Sequence, residues 1–193
     1  MNWILIVVTA VLGISTRNGK CSDTHTSELQ IAMSDAASSI SYLLDTWHAN
    51  YTRYQQLLQF HFGTMAKMEV FYKKIKQIQN AQYTVICDFG STSCNVRYEI
   101  RAAFVFDGSS IVRVCPVYFN GYDSEEERLL NRDDKARLLI HELAHIALKA
   151  VDVNDGYGQI NVLDLAKTDP KLAYTNADSY AFFIYNAVIK GSH

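Results

Sequence analysis

Apolar side chains at Leu29, Met33, Ala36, Ile40, Leu43 and Trp47 recur at spacings of four and three, the stripe of an amphipathic helix. A second helix is predicted around Tyr51 to Phe62, ending at Gly63, and Thr64 can cap a third whose buried face is Met65, Met68, Tyr72, Ile75 and Ile78. The period then changes. Tyr98, Ile100, Ala102, Phe104 and Phe106 alternate with Arg97, Glu99, Arg101, Ala103 and Val105, which predicts a half-buried strand. Asp107-Gly108 and the apolar run Ile111 to Cys115 make this strand half of a hairpin, and Tyr83 to Cys87 supplies one more strand. Helix returns at the capping-box pattern Ser124-Glu125-Glu126-Glu127, whose acidic run reads as a solvated helix start. Asn131, Asp133 and Asp134 either open a fresh helix or face solvent on a continuing one; Ala136, Leu138, Leu139, Ile140, Leu143, Ala144, Ala147 and Leu148 make the segment helical either way. Gly156 and Gly158 mark a tight loop, Asp169-Pro170 a cap with proline at the first helical position, and a last helix begins near Asn176, burying Tyr180, Ala181, Ile184 and Ala187.

Composition narrows the class. With 193 residues, 49% of them hydrophobic, and two prolines, the chain suits one globular domain with a sizeable core. A net charge of −2 from well-mixed signs argues against a nucleic-acid footprint and against a polybasic membrane patch. The apolar run from Trp3 to Leu12 is too short for a membrane span and fits a signal peptide over residues 1–15, cut near Ser15, although no Lys or Arg precedes it; the other reading is a buried N-terminal strand. Residues 16–193 then form a single secreted domain. Cys21, Cys87, Cys94 and Cys115 remain, an even number that reads as two disulfides with three possible pairings. Cys21 with Cys87 and Cys94 with Cys115 is favoured, since the first ties down the N-terminus and the second links the entry of one hairpin strand to the end of the other. Asn50-Tyr51-Thr52 is a glycosylation sequon, meaningful in a glycosylating secretory pathway.

The candidate chemistry lies in His141-Glu142-Leu143-Ala144-His145. Residues four apart share a helix face, so both imidazoles can reach one Zn²⁺, with Glu142 at the edge of that face as general base. A catalytic zinc keeps three protein ligands and an open position. No glutamate follows Glu142, and Leu148 and Val151 stand where a longer histidine motif needs glycine and histidine, so apart from the terminal His193 the third ligand must be Asp, Asn or water. Asp152, Asn154 and Asp155 are nearest. His25, His48 and His61 lack ligand spacing and read as surface or core side chains.

With these residues in view, the chain resembles the aspzincins, the fungal deuterolysins and lysine-specific metallo-endopeptidases. Their mark is H-E-x-x-H followed by G-T-x-D-x-x-Y-G; here the second stretch is Val151-Asp152-Val153-Asn154-Asp155-Gly156-Tyr157-Gly158, with its Tyr-Gly ending kept. Cys115-Pro116, Leu165 to Pro170 and Asn176-Ala177-Asp178-Ser179-Tyr180 also match, over roughly Cys87 to Tyr185. The resemblance implies an α+β, zincin-like metalloprotease domain: a helical N-terminal half, a small antiparallel sheet and a zinc-binding helix. It implies one Zn²⁺ per chain, a peptide or protein substrate, and Tyr157 as donor to the oxyanion. In register the ligand aspartate becomes Asn154, a neutral and poor zinc ligand, and Asp155 or Asp152 can substitute. Asp178 resembles half of an acidic pocket for lysine beside the scissile bond; the second acid of that pocket is Ala181 here, which weakens any lysine preference. Asp178 would equally suit the first turn of a helix through the dipole. Family members carry a long propeptide, and here only a few residues separate the signal from Cys21, so latency is expected to be absent or achieved otherwise.

The expected protein is a secreted, monomeric zinc endopeptidase with no nucleic-acid partner and no membrane association after signal removal. The alternative is a catalytically impaired homologue that binds metal or protein, supported by Asn154 and opposed by the retained Glu142 and Tyr157. A helical structural domain with a chance histidine motif needs several later matches to be coincidence.

Overall fold

The computed structural model describes residues 21–96, 99–100, 102–120, 132–154 and 156–188. The signal segment 1–15, the capping box at 124–127, Asn131 and Asp155 lie outside the described residues. Helix α1 (Asp23–Asp45) is capped by Ser22, whose hydroxyl accepts from the His25 N–H at 3.1 Å, and buries Leu29, Ala32, Met33, Ala36, Ile40, Leu43 and Leu44. Helix α2 (Tyr51–Phe62) stops at Gly63, where φ is +77° and an added Cβ would lie 2.9 Å from both the Ala166 carbonyl and Pro170. Helix α3 (Met68–Gln79) starts one turn later than the Thr64 cap predicts, and Met65 is exposed. Its buried face is Met68, Phe71, Ile75 and Ile78, so the stripe was offset toward the N-terminus by one apolar residue too many.

Strands β1 (Thr84–Cys87), β2 (Asn95–Val96), β3 (Glu99–Ile100), β4 (Ala103–Val105) and β5 (Ile111–Val114) follow. The alternating run read as one strand is thus two, β3 and β4, serving different sheets. The α+β class holds, but the main sheet is mixed: β4 and β5 form the antiparallel hairpin, while β1 pairs with β5 in parallel. Alternation carries no strand direction, and the long connection from Cys87 to Ile111 allows the crossover that a parallel pair requires. Both favoured disulfides are present: Cys21–Cys87 joins the start of α1 to the end of β1, and Cys94–Cys115 joins the β2 approach to the end of β5.

Short α4 (Val117–Asn120) precedes α5 (Arg132–Leu148), then α6 (Gly158–Thr168), α7 (Pro170–Ala173) and α8 (Ala177–Val188). Asp169 caps α7 through the Lys171 and Leu172 N–H groups, as its position before proline predicts. Helix α6 was not anticipated. Its exposed Ile160 breaks a clean apolar stripe, and its buried residues reduce to Val162, Leu165 and Ala166. Helix α5 packs between α1 and α8 with β4 alongside. An aromatic cluster of Phe62, Phe71, Tyr174, Tyr180 and Phe183 joins α2, α3 and α8, with Phe62 and Phe71 centroids 4.3 Å apart. The central helix is therefore packed on several sides where the histidines project. Among the described residues no helix is long and apolar enough to cross a membrane.

Candidate active site

His141, Glu142 and His145 sit on the buried stretch of α5, at the wall of a cavity of about 610 Å³. His141 and Glu142 are buried, and the two imidazole Nε2 atoms are 3.0 Å apart. Asp152, on the loop after α5, brings Oδ1 to 3.0 Å from His141 Nε2 and 3.2 Å from His145 Nε2. Three ligand-type atoms thus converge on one point, and these are the described His, Cys, Asp and Glu residues that could hold an ion.

The chemistry of this donor set fits a zinc ion. His145 Nδ1 is 2.7 Å from the Ala150 carbonyl, which can only accept, so Nδ1 carries the proton and donates. His141 Nδ1 is 2.8 Å from Asp178 Oδ1 and donates to it in the same way. In their neutral form both rings therefore present an Nε2 lone pair toward Asp152, an arrangement suited to a cation between the three atoms. Tetrahedral ligands at 2.0–2.1 Å from zinc are about 3.3 Å apart, close to the spacings seen.

Local backbone features place the loop. Lys149, at φ +56°, closes α5 in a left-handed cap with its N–H on the His145 carbonyl at 3.2 Å, and this turns the Ala150 carbonyl beneath the His145 ring. Val151 then bridges to the start of α8: its N–H donates to the Thr175 carbonyl at 2.8 Å, and its carbonyl accepts from Ala177 at 3.0 Å. Buried Asn176 holds the rest, donating to the Gly156 carbonyl at 3.0 Å while its Oδ1 accepts from Val153 at 3.4 Å. Gly156 is obligatory at this approach, because a Cβ there would meet the Val153 carbonyl at 2.9 Å and the Asn176 amide at 3.0 Å.

Asn154, the residue in register with the family ligand, is exposed and does not line the cavity. Of the two alternatives, Asp155 lies outside the described residues, and the position of Asp152 follows from the Val151 bridge, a tertiary contact that no local pattern announces. Tyr157 lines the cavity, half exposed, with its ring stacked 6.2 Å from that of His141. Asp178 also lies at the cavity wall, but it is 4% exposed and both oxygens are engaged: Oδ1 with His141 and, at 3.4 Å, Arg137; Oδ2 with the Gly158 N–H at 2.8 Å. Arg137, Asn176 and the Ala150 carbonyl are site groups that the sequence did not single out. Arg137 stands four before His141 on the histidine face, the one signal that could have found it. Elsewhere, His61 is buried against Asn186, His25 stacks on Phe119, and His48 is exposed; Asn50 precedes α2 with its side chain partly exposed.

Without a metal the carboxylates dominate the electrostatics. Burial lowers the His141 pKa, but the hydrogen bonds to Asp152 and Asp178 and the nearby Glu142 charge outweigh it and push it up to about 10. His145 is raised too, against burial and the neighbouring His141 charge, by Asp152 and the Ala150 carbonyl. Burial raises Asp152 and Asp178, yet both are held below the usual carboxylate range by the histidines, with the Gly158 N–H and Arg137 adding to the effect at Asp178. The carboxylates on either side of the two imidazoles are arranged to hold positive charge at that point of the cavity.

A buried helix offering two imidazoles, joined by a carboxylate from the following loop beside a small mixed sheet, defines a metallopeptidase-like site of the zincin type. The aspzincin family model, described as "Lysine-specific metallo-endopeptidase", matches residues 34–185, and the chain belongs to this family. It is 30% identical over 176 residues to an extracellular protease of Aeromonas hydrophila, covering 88% of this chain and 46% of that protein, so it spans less than half of that relative. It is 26% identical to a peptidyl-Lys metalloendopeptidase of Pleurotus ostreatus over 86% of this chain and 94% of that one. The fold matches a zinc peptidase from Grifola frondosa with a TM-score of 0.63 at 22% identity, covering 86% of this chain and 97% of that one.

Proposed function

We propose that this protein is a zinc-dependent endopeptidase, secreted, and that His141, His145 and Asp152 hold the metal. The convergence of two oriented Nε2 atoms on the Asp152 carboxylate carries this reading. Bound zinc supplies the Lewis acidity that makes water nucleophilic near neutral pH. Glu142, buried at the cavity wall beside His141, takes the proton from the attacking water and passes it to the departing amine. Tyr157, lining the cavity beside His141, donates its hydroxyl to the oxygen that becomes negative at the attacked carbonyl; a donor of this kind contributes about 2.7–4 kcal/mol in the transition state. Strand β4 has a partner on one side only among the described residues and lines the cavity, so a peptide main chain can pair with its open edge and be drawn past His141. Two disulfides and the relative's extracellular description support export. Strict lysine preference is not part of this reading, because the Asp178 carboxylate is already committed to His141 and Gly158.

The test is metal analysis of the purified protein together with peptide-library cleavage, with and without chelator, alongside Glu142→Gln. The expected result is zinc near one equivalent per chain in both proteins, and chelator-sensitive cleavage by the wild type alone. Cleavage that survives chelator, or an active Glu142→Gln, would sink the assignment.

A further inference from the structure

Arg137 has no part in the hydrolytic steps above, yet it lines the same cavity. It precedes His141 by one helical turn, so Arg137, His141 and His145 project from one face of α5. Its side chain is 15% exposed, and the guanidinium carbon sits 4.4 Å from the centroid of the Phe182 ring, which holds the fork in place. Among the described residues it makes one hydrogen bond, from Nη1 to Asp178 Oδ1 at the long distance of 3.4 Å. A guanidinium carries five N–H donors, and no Arg137 nitrogen is among the described buried atoms that lack a partner, so the donors not aimed at Asp178 stay accessible to a ligand.

The same contact changes what Asp178 can do. Its Oδ1 serves His141 and Arg137, its Oδ2 serves Gly158, and its charge is matched by Arg137. An incoming ammonium meets no open carboxylate there, and fully buried Ala181 adds none. It meets the Arg137 cation instead. Lys149, also on the cavity lining, adds a second positive charge; of the acids that share this lining, Asp152 faces the two histidines, Asp178 is engaged by His141, Arg137 and Gly158, Glu142 is buried beside His141, and Asp107 lies on the exposed β4–β5 turn. A substrate carboxylate, by contrast, presents two acceptors to a fixed fork.

We infer that Arg137 is a specificity-determining residue: it makes the recess beside His141 accept an acidic side chain next to the scissile bond and reject lysine. The inference rests on the peptidase reading for its substrate class, and its test is a binding measurement that needs no turnover. Labelled hexapeptides bearing Glu, Leu or Lys on either side of a fixed central bond are titrated into zinc-loaded Glu142→Gln protein, and Kd is read by fluorescence anisotropy. The Glu peptide is expected to bind at least about tenfold more tightly than the Lys peptide, the worth of one charge-assisted hydrogen bond. Arg137→Gln in the same background should bring the two within about twofold, and Arg137→Lys should keep part of the difference. Should Arg137→Gln fail to fold, loss of the Glu-over-Lys difference in high salt with the unaltered arginine serves in its place.

Equal or tighter binding of the Lys peptide, a difference that Arg137→Gln leaves unmoved, or no binding of any peptide overturns the inference. The two readings fail separately. Discrimination in binding without cleavage by the wild type removes the peptidase and keeps this recess; chelator-sensitive cleavage confined to lysine keeps the peptidase and removes this recess.

Discussion

His141 is held by two carboxylates at once, Asp152 at Nε2 and Asp178 at Nδ1, and most of the site's behaviour follows from that. Asp152→Ala is expected to lose zinc, while Asn154→Ala keeps about one equivalent, read by metal analysis after dialysis; the opposite outcome would return the ligand place to Asn154. Asp178→Asn leaves the ligands intact but loosens the His141 ring, and should weaken zinc binding by about 10–100-fold in competition with a chromophoric chelator. The pH dependence has a definite sign. In the metal-free protein the His141 pKa is raised to about 10, so its proton stabilises the fold fully below the ordinary histidine value near 6.5 and ceases to do so as pH climbs through about 10. Zinc must displace that proton. Uptake at pH 7 is therefore accompanied by proton release, and apparent affinity rises with pH, which calorimetry in buffers of different ionisation enthalpy will register.

At the scale of elements, the end of α5 and the start of α8 act as one device. The left-handed Lys149 aims the Ala150 carbonyl at His145, and the Val151 bridge delivers Asp152. A non-glycine residue in that conformation costs about 1–2 kcal/mol, partly recovered because glycine loses more chain entropy on folding. Lys149→Gly should thus raise metal-free stability by about 0.5–1 kcal/mol in urea melts, with zinc stoichiometry unchanged. Gly156→Ala should act the other way, pushing the loop off Asn176 and lowering zinc affinity while the far-UV spectrum of the helices stays the same. If Gly156→Ala binds zinc as tightly as the wild type, the loop is not what positions Asp152.

At the scale of the whole molecule, zinc and the disulfides act on the same fold from different sides. Zinc binds only the folded chain, so chelation should lower Tm by an amount that grows with the free zinc it removes. Opening Cys21–Cys87, which spans 66 residues, by a double change to serine is expected to cost about 2–4 kcal/mol without altering zinc stoichiometry, since it lies at the α1–β1 end of the molecule. The helices α1, α2, α5 and α8 were legible because each buries one face against a common core, and a 3.6-residue period records that directly. His141, Glu142 and His145 were legible for the same reason: a helix fixes their relation locally, whatever surrounds it. The direction of β1, the splitting of the long alternating run and the existence of α6 were not, because strand partners and weakly apolar helices are chosen by distant segments. The placement of Asp152 against the two imidazoles, and the pairing of Asp178 with His141 and Arg137, depend on α8 lying beside the loop that follows α5. The sequence by itself determined that two imidazoles and a carboxylate share one helical stretch; only the packing of two helices far apart in the chain decided that Asp152 faces both imidazoles and Asp178 is tied up behind one of them, because a contact across 20 or more residues leaves no periodic trace in either segment.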